Sequence, residues 1–123
     1  MVVVYYLLFT YVMLLKNINS EVNTYIDGYA ASAGSPLSVC GNNRFISKNS
    51  HVLINQLSTS QSGKANELED EYINVKSFMN NLRNIYLENT KLPEEQLDKL
   101  LLRDLWLNST MALEYGLVNK IYE

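Results

Sequence analysis

The chain has 123 residues, enough for one domain and too few for two well-built ones. With 47% apolar and 19% charged residues, its composition is that of a folded globular protein and excludes a disordered chain. A net charge of −3 without a cluster of Lys or Arg argues against a nucleic-acid partner, and the single cysteine, Cys40, excludes an internal disulfide and fits a reducing compartment.

Met1 to Leu15 carries Thr10 as its one clearly polar side chain. Lys16, Asn17 and Asn19 end the run short of the roughly 20 apolar residues that a membrane span needs. No charge marks Met1 to Tyr6 as the basic start of a signal peptide. The expectation is therefore a buried core segment of a soluble domain, with no membrane partner. Val2 to Tyr6 prefers strand locally and Leu7 to Leu15 prefers helix. The segment has no amphipathic face, so a helix there needs covering on all sides, by this chain or another.

Glu21 to Ile26 reads as a strand, broken at Asp27-Gly28. The small-residue run Gly28, Ala30, Ala31, Ser32, Ala33, Gly34 and Ser35 follows, with Pro36 in the first turn of a helix where its missing N–H costs least. Strand, sharp turn and small-residue helix is the layout of a nucleophile elbow, in which bulky neighbours would shut off the hydroxyl. Leu37, Val39 and Cys40 supply that helix's apolar side, and Gly41 to Asn43 ends it. Arg44 to Ser47 and His51 to Asn55 read as short strands around the turn residues Asn49 and Ser50. Leu57 to Gly63 is polar and expected to be exposed.

Ala65, Leu68, Tyr72, Val75, Met79, Leu82 and Tyr86 recur at intervals of three and four, one face of a helix of about 25 residues. Ile73, Phe78 and Ile85 widen the stripe beyond the needs of one core, so the helix is expected to project and pack on a partner. Pro93 opens another helix with Glu94 and Glu95 in its first turn and Leu97, Leu100 and Leu101 on its buried side. Leu105 to Leu107 reads as a buried strand. Asn108 or Ser109 caps a last helix closed by Gly116, and Leu117 to Tyr122 is a final strand. Alternating strands and helices point to a single layered α/β domain spanning 1–123.

Taken singly, the chemical candidates are ordinary. A serine among small residues is most often helix packing, an Arg-Asp pair is most often a surface ion pair, and His51 has no motif linking it to Cys40 or to Ser32. Their order is more informative. Gly28-Tyr29-Ala30-Ala31-Ser32-Ala33-Gly34 resembles the G-x-A-A-S-x-G nucleophile motif of the Clp protease proteolytic subunit. Asn49 to Gln56 resembles that family's N-[AS]-R-[IV]-M-I-H-Q strand, Leu102-Arg103-Asp104 its acid-bearing R-D pair, and Ser109 to Val118 its S-A-x-E-A-x-E-Y-G-L-[VI] ending. Four motifs in order cover the chain from about Tyr11 to Tyr122.

The resemblance implies a crotonase-like α/β fold of ββα units with a long protruding handle helix, lacking the first part of the usual domain. It implies Ser32 as nucleophile, Asp104 as the triad acid and the amide of Ala33 as an oxyanion donor. Leu57, Ser58, Thr59, Ser60 and Gln61 would form the edge on which an extended peptide pairs. Arg103 would contribute to contacts between subunits. The implied partners are a peptide or unfolded protein substrate, a homo- or hetero-oligomeric ring of similar subunits and an AAA+ unfoldase, in cytoplasm or an organelle matrix. No cofactor or metal is implied.

Two departures bear on activity. The position of the family's histidine is Asn55, and an amide has no basic nitrogen near neutral pH to take a proton from Ser32. Losing one essential triad member costs about 10⁴ to 10⁶ in rate. His51, four residues along a strand, is roughly 13 Å away and does not read as a relocated base. The family's S-P-G-G loop, source of the second oxyanion donor, has no counterpart, with Met1 and Val2 where its glycines would fall. The expected reading is a serine-peptidase subunit, impaired or silent. Its alternatives are a subunit that borrows a base, a fragment or half of a split subunit, and an interaction module built on the long helix.

Overall fold

A computed structural model describes residues 2–123. The elements in order are α1 (Val2–Asn17), β1 (Asn23–Ile26), β2 (Tyr29–Ala30), α2 (Gly34–Ser38), β3 (Asn43–Ser47) and β4 (His51–Leu53). Then follow α3 (Ala65–Asn89), α4 (Glu94–Leu101), β5 (Trp106–Asn108), α5 (Ser109–Glu114) and β6 (Lys120–Tyr122). The strands form two three-stranded sheets. In the first, β3 lies between β1 and β6, all parallel; in the second, β4 lies between parallel β2 and antiparallel β5.

The chain crosses from the first sheet to the second at Asp27-Gly28, and again between Ser47 and His51. The first crossing requires Gly28, whose φ of 90° is strained for any residue with a Cβ. The second is tied to it through Ser50, which is buried. Gly28 N–H donates to Ser50 Oγ at 2.7 Å, and His51 N–H donates back to Gly28 O at 3.0 Å. Ser109 Oγ fixes the same corner by donating to Lys48 O at 2.7 Å. Every buried hydroxyl there has a partner, as a low-dielectric corner demands. Each ββα passage thus delivers a strand of one sheet, a strand of the other and a helix that covers them.

Ile26, Ile46, Val52, Ile54, Leu97, Leu107 and Leu117 fill the space between sheets and helices. The C-terminal half of α3 contributes Leu82, Ile85 and Tyr86 to this core, whereas Leu68, Tyr72 and Ile73 on its N-terminal half are exposed. The helix projects, as its overlong apolar stripe led one to expect.

Several boundaries depart from the sequence expectation. Val2 to Tyr6 is helical, not strand: β-branched residues lose only tenths of a kcal/mol each in a helix, and extending one already begun at Leu7 needs no new nucleus. The elbow helix stops at Ser38, well before Gly41, because Cys40 N–H turns back onto Leu37 O. The strand from His51 ends at Leu53, which is paired with Trp106, the first residue of its antiparallel partner β5. Leu105 and Trp106 are half-exposed, so Leu107 alone of that trio faces the core. Only Lys120 to Tyr122 of the last segment pairs, since Leu117 and Val118 still fold back onto Ala112 O. Helix α1 buries Leu8 and Val12 but leaves Leu7, Tyr11, Met13 and Leu14 exposed, so the rest of the described chain does not cover it. Among the described residues no helix is long and apolar enough to cross a membrane.

Candidate active site

Ser32 stands between β2 and α2 with φ at 51°, the left-handed region that a non-glycine residue enters at a cost of about 1–3 kcal/mol. It is the one non-glycine residue with positive φ among the described residues. Such a conformation persists only where both flanks are fixed. Before it, Ala30 is held in register with Val52. After it, Gly34 N–H closes the turn on Ala31 O at 2.9 Å. Thr24 Oγ1 donates to Ser38 O at 2.7 Å and Cys40 Sγ to Pro36 O at 3.2 Å, which fastens α2 to its surroundings. The result leaves the Ser32 side chain exposed on a sharp turn.

Ala33 is the N-cap of α2. Its amide belongs to the helix-start N–H groups that have no intrahelical acceptor and favour negative charge. Ser32 and Ala33 line one side of a cleft of about 70 Å³, and Asn55, Gln56, Leu57 and Ser58 line another. Leu8, Pro36, Leu82 and Tyr86 complete it. The segment 55–57 is held there by two of its main-chain amides: Gln56 N–H donates to Leu101 O at 3.0 Å and Leu57 N–H to the side-chain Met79 Sδ at 3.1 Å.

The cleft carries no formal charge. Burial pushes the Tyr86 phenol well above its ordinary range, opposed by its hydrogen bond to Ser35 Oγ at 2.8 Å, so it is a protonated hydroxyl at neutral pH. Burial likewise raises the Cys40 thiol, whose sulfur is already committed to Pro36 O; nothing there makes it a nucleophile. No lining side chain is a base near neutral pH, because Asn55 and Gln56 are amides.

The structure therefore brings together Ser32, Ala33, Asn55, Leu57 and Ser58. Thr59, Ser60 and Gln61 are exposed and lie outside the cleft. Arg103 and Asp104 sit in the exposed turn between α4 and β5, away from the cleft lining, and Asp104 has no hydrogen bond or ion pair among the described residues. His51 is exposed on β4 and faces a different surface hollow with Gly28, Tyr29 and Trp106. No group of His, Cys, Asp and Glu among the described residues is arranged to hold a metal. The buried Ser35–Tyr86 pair and the Met79 sulfur are the contributions that sequence reasoning missed. Tyr86 and Met79 had been absorbed into the apolar stripe of α3 and Ser35 into the small-residue run leading into α2.

The family model for Clp protease matches residues 8–123. The chain belongs to the Clp protease family. It is 36% identical over 111 residues to the ATP-dependent Clp protease proteolytic subunit 1 of Protochlamydia amoebophila (strain UWE25), covering 87% of this chain and 54% of that protein. It is 32% identical over 111 residues to the subunit 1 of Chlamydia caviae, with 87% and 58% covered. The proteolytic subunit of Paracoccus denitrificans is 33% identical over 109 residues, with 87% and 55% covered. The chain thus spans about half the length of these curated relatives. Its α/β architecture with a projecting α3 is the Clp-protease-like fold that the sequence motifs led one to expect.

Proposed function

We propose that this chain is a Clp-family serine-peptidase-type subunit whose own hydrolytic step is impaired. The observation that carries the reading is the cleft itself: a serine strained into an elbow faces a wall whose family base position is an amide. In this reading Ser32 is the residual nucleophile and the Ala33 amide the oxyanion donor. Asn55 holds hydrogen bonds but takes no proton. Asp104 keeps the place of the acid, with no imidazole to orient. Leu57 and Ser58 begin the edge for an extended peptide, continued by Thr59, Ser60 and Gln61 on the exposed side. Arg103 is left for contacts between subunits. The proposed setting is a mixed or homomeric ring in a reducing compartment, fed with unfolded protein by an AAA+ unfoldase.

The test is labelling of the purified chain with a fluorophosphonate, with Ser32→Ala as the blank. The expected result is label at the level of the blank and no cleavage of a short fluorogenic peptide. Labelling of the wild-type chain at the rate of an active serine peptidase, abolished in Ser32→Ala, would sink the impairment. Asn55→His alone is expected to leave activity far below that of an active subunit, because Asp104 lies outside the cleft lining and would not orient the new imidazole. A fully active Asn55→His variant would show that the remaining machinery is complete.

A further inference from the structure

The rim of the cleft hangs on an uncommon acceptor. Residues 54–63 form neither helix nor strand, and from Ser58 onward they are exposed. Where the segment leaves the core it is anchored by Gln56 N–H on Leu101 O and by Leu57 N–H on a thioether, Met79 Sδ. Met79 is on α3, half-buried; one side packs on the core while the other lines an open groove with Lys76, Arg83, Asp98 and Leu102. The side chain therefore has its sulfur committed to the Leu57 amide and lines a groove open to solvent.

We propose that Met79 is a reversible oxidation site for peroxides, whose conversion to the sulfoxide releases the Leu57 end of the cleft rim from α3. A sulfur lone pair attacks the hydroxyl oxygen of the peroxide. The S–O bond forms as the O–O bond breaks, the departing oxygen takes the proton, and water or an alcohol leaves. Sulfur is oxidised by two electrons and the peroxide is reduced by two. The new oxygen adds on the groove side, where there is room. The sulfur left facing Leu57 then carries partial positive charge, and its remaining lone pair is a poor acceptor. With the nitrogen 3.1 Å away, the attraction that held the amide is removed. The polar S=O also has no place against the core residues that Met79 packs on, which favours moving the rim outward. The inference concerns the rim alone and stands whether or not Ser32 hydrolyses anything.

The chain supplies its own controls. Met13 is 64% exposed and reports that oxidant was sufficient. Met79→Leu keeps the volume of the side chain while removing the acceptor and the oxidisable atom. The experiment treats both proteins with hydrogen peroxide, locates added oxygen by peptide mass mapping, and follows hydrogen exchange of the segment 55–63. Oxygen is expected on Met79 as well as Met13, with exchange at the Leu57 amide about 2- to 10-fold faster, the range set by losing one ordinary hydrogen bond. Untreated Met79→Leu should already exchange at the faster rate and gain nothing from peroxide, while methionine sulfoxide reductase should slow the treated wild-type chain again. Met79 unmodified when Met13 is fully converted would overturn the proposal. So would an unchanged rim after Met79 conversion, or an equal response of Met79→Leu to peroxide.

Discussion

Tyr86 lines the cleft with 1% of the residue exposed, and its hydroxyl is paired with that of Ser35, itself fully buried. The bond joins the helix that follows the nucleophile to the projecting helix, so each hydroxyl satisfies a group that would otherwise be stranded. Tyr86→Phe leaves Ser35 Oγ without that partner and is expected to destabilise the fold by about 1–3 kcal/mol in urea unfolding. The same group sets an alkaline limit. A phenol raised by burial favours the folded state while it stays protonated, so its contribution is complete below its unfolded value near pH 10 and is lost as pH rises beyond that. Cys40, raised by burial, acts with the same sign from about pH 8.5 upward. Tyr122, pushed up to about 12 chiefly by its hydrogen bond to Asp27, adds to the same limb. From neutral pH to about pH 8.5 these groups leave stability flat, and beyond it stability should fall, less steeply in Tyr86→Phe. An identical slope in the two proteins between pH 10 and 11 would show that Tyr86 is not responsible.

Among the elements, the ends carry their causes in single residues. Asn108 caps α5 by accepting Met111 N–H at 2.9 Å, and Gly116 closes it at φ 71° with Lys91 packed where a Cβ would be. Asn108→Ala is expected to cost about 0.5–2 kcal/mol. Gly116→Ala should cost more, because the new Cβ would lie 2.8 Å from the Lys91 backbone nitrogen as well as in a left-handed residue. Equal melting temperatures for the two variants would count against that ranking. Both residues were legible as punctuation in the sequence, as were Pro93 and the three-and-four spacing of α3. The elbow was legible too, though less from the small residues around Ser32, which most often mean helix packing, than from the order of the motifs that follow it. What escaped depended mostly on partners distant in the chain, with one local exception. The extent of α1 escaped because weak local preference at Val2 to Tyr6 yields to helix propagation. The end of β4 escaped because β5 decides it. The placing of Asn55 and Leu57 beside Ser32 was legible only through the resemblance, since no local pattern says that a segment after a strand returns to an elbow more than 20 residues earlier.

For the whole molecule, the telling feature is where apolar surface remains uncovered. The N-terminal half of α3 leaves Leu68, Tyr72 and Ile73 in solvent, and α1 leaves Leu7, Tyr11, Met13 and Leu14 on the surface. Single exposed apolar residues are normal, but two groups of this kind on a 14.1 kDa chain are a liability for an isolated monomer. The salt links nearby offer little compensation, since Arg83 bridges Asp98 and Glu94 at the surface, where ion pairs contribute about 0–1 kcal/mol. We therefore expect the chain to associate through α3, as the proposed ring requires, and to show more than one subunit by light scattering. Tyr72→Lys with Ile73→Lys should drive it towards monomer. Those positions touch neither the cleft nor the core, so the double variant should keep the melting temperature that the monomer's own core supports. A wild-type chain that is already a monodisperse monomer would remove assembly from the argument. A double variant that stays associated would move the interface away from α3, with the exposed Leu7, Tyr11, Met13 and Leu14 of α1 as the next face to substitute.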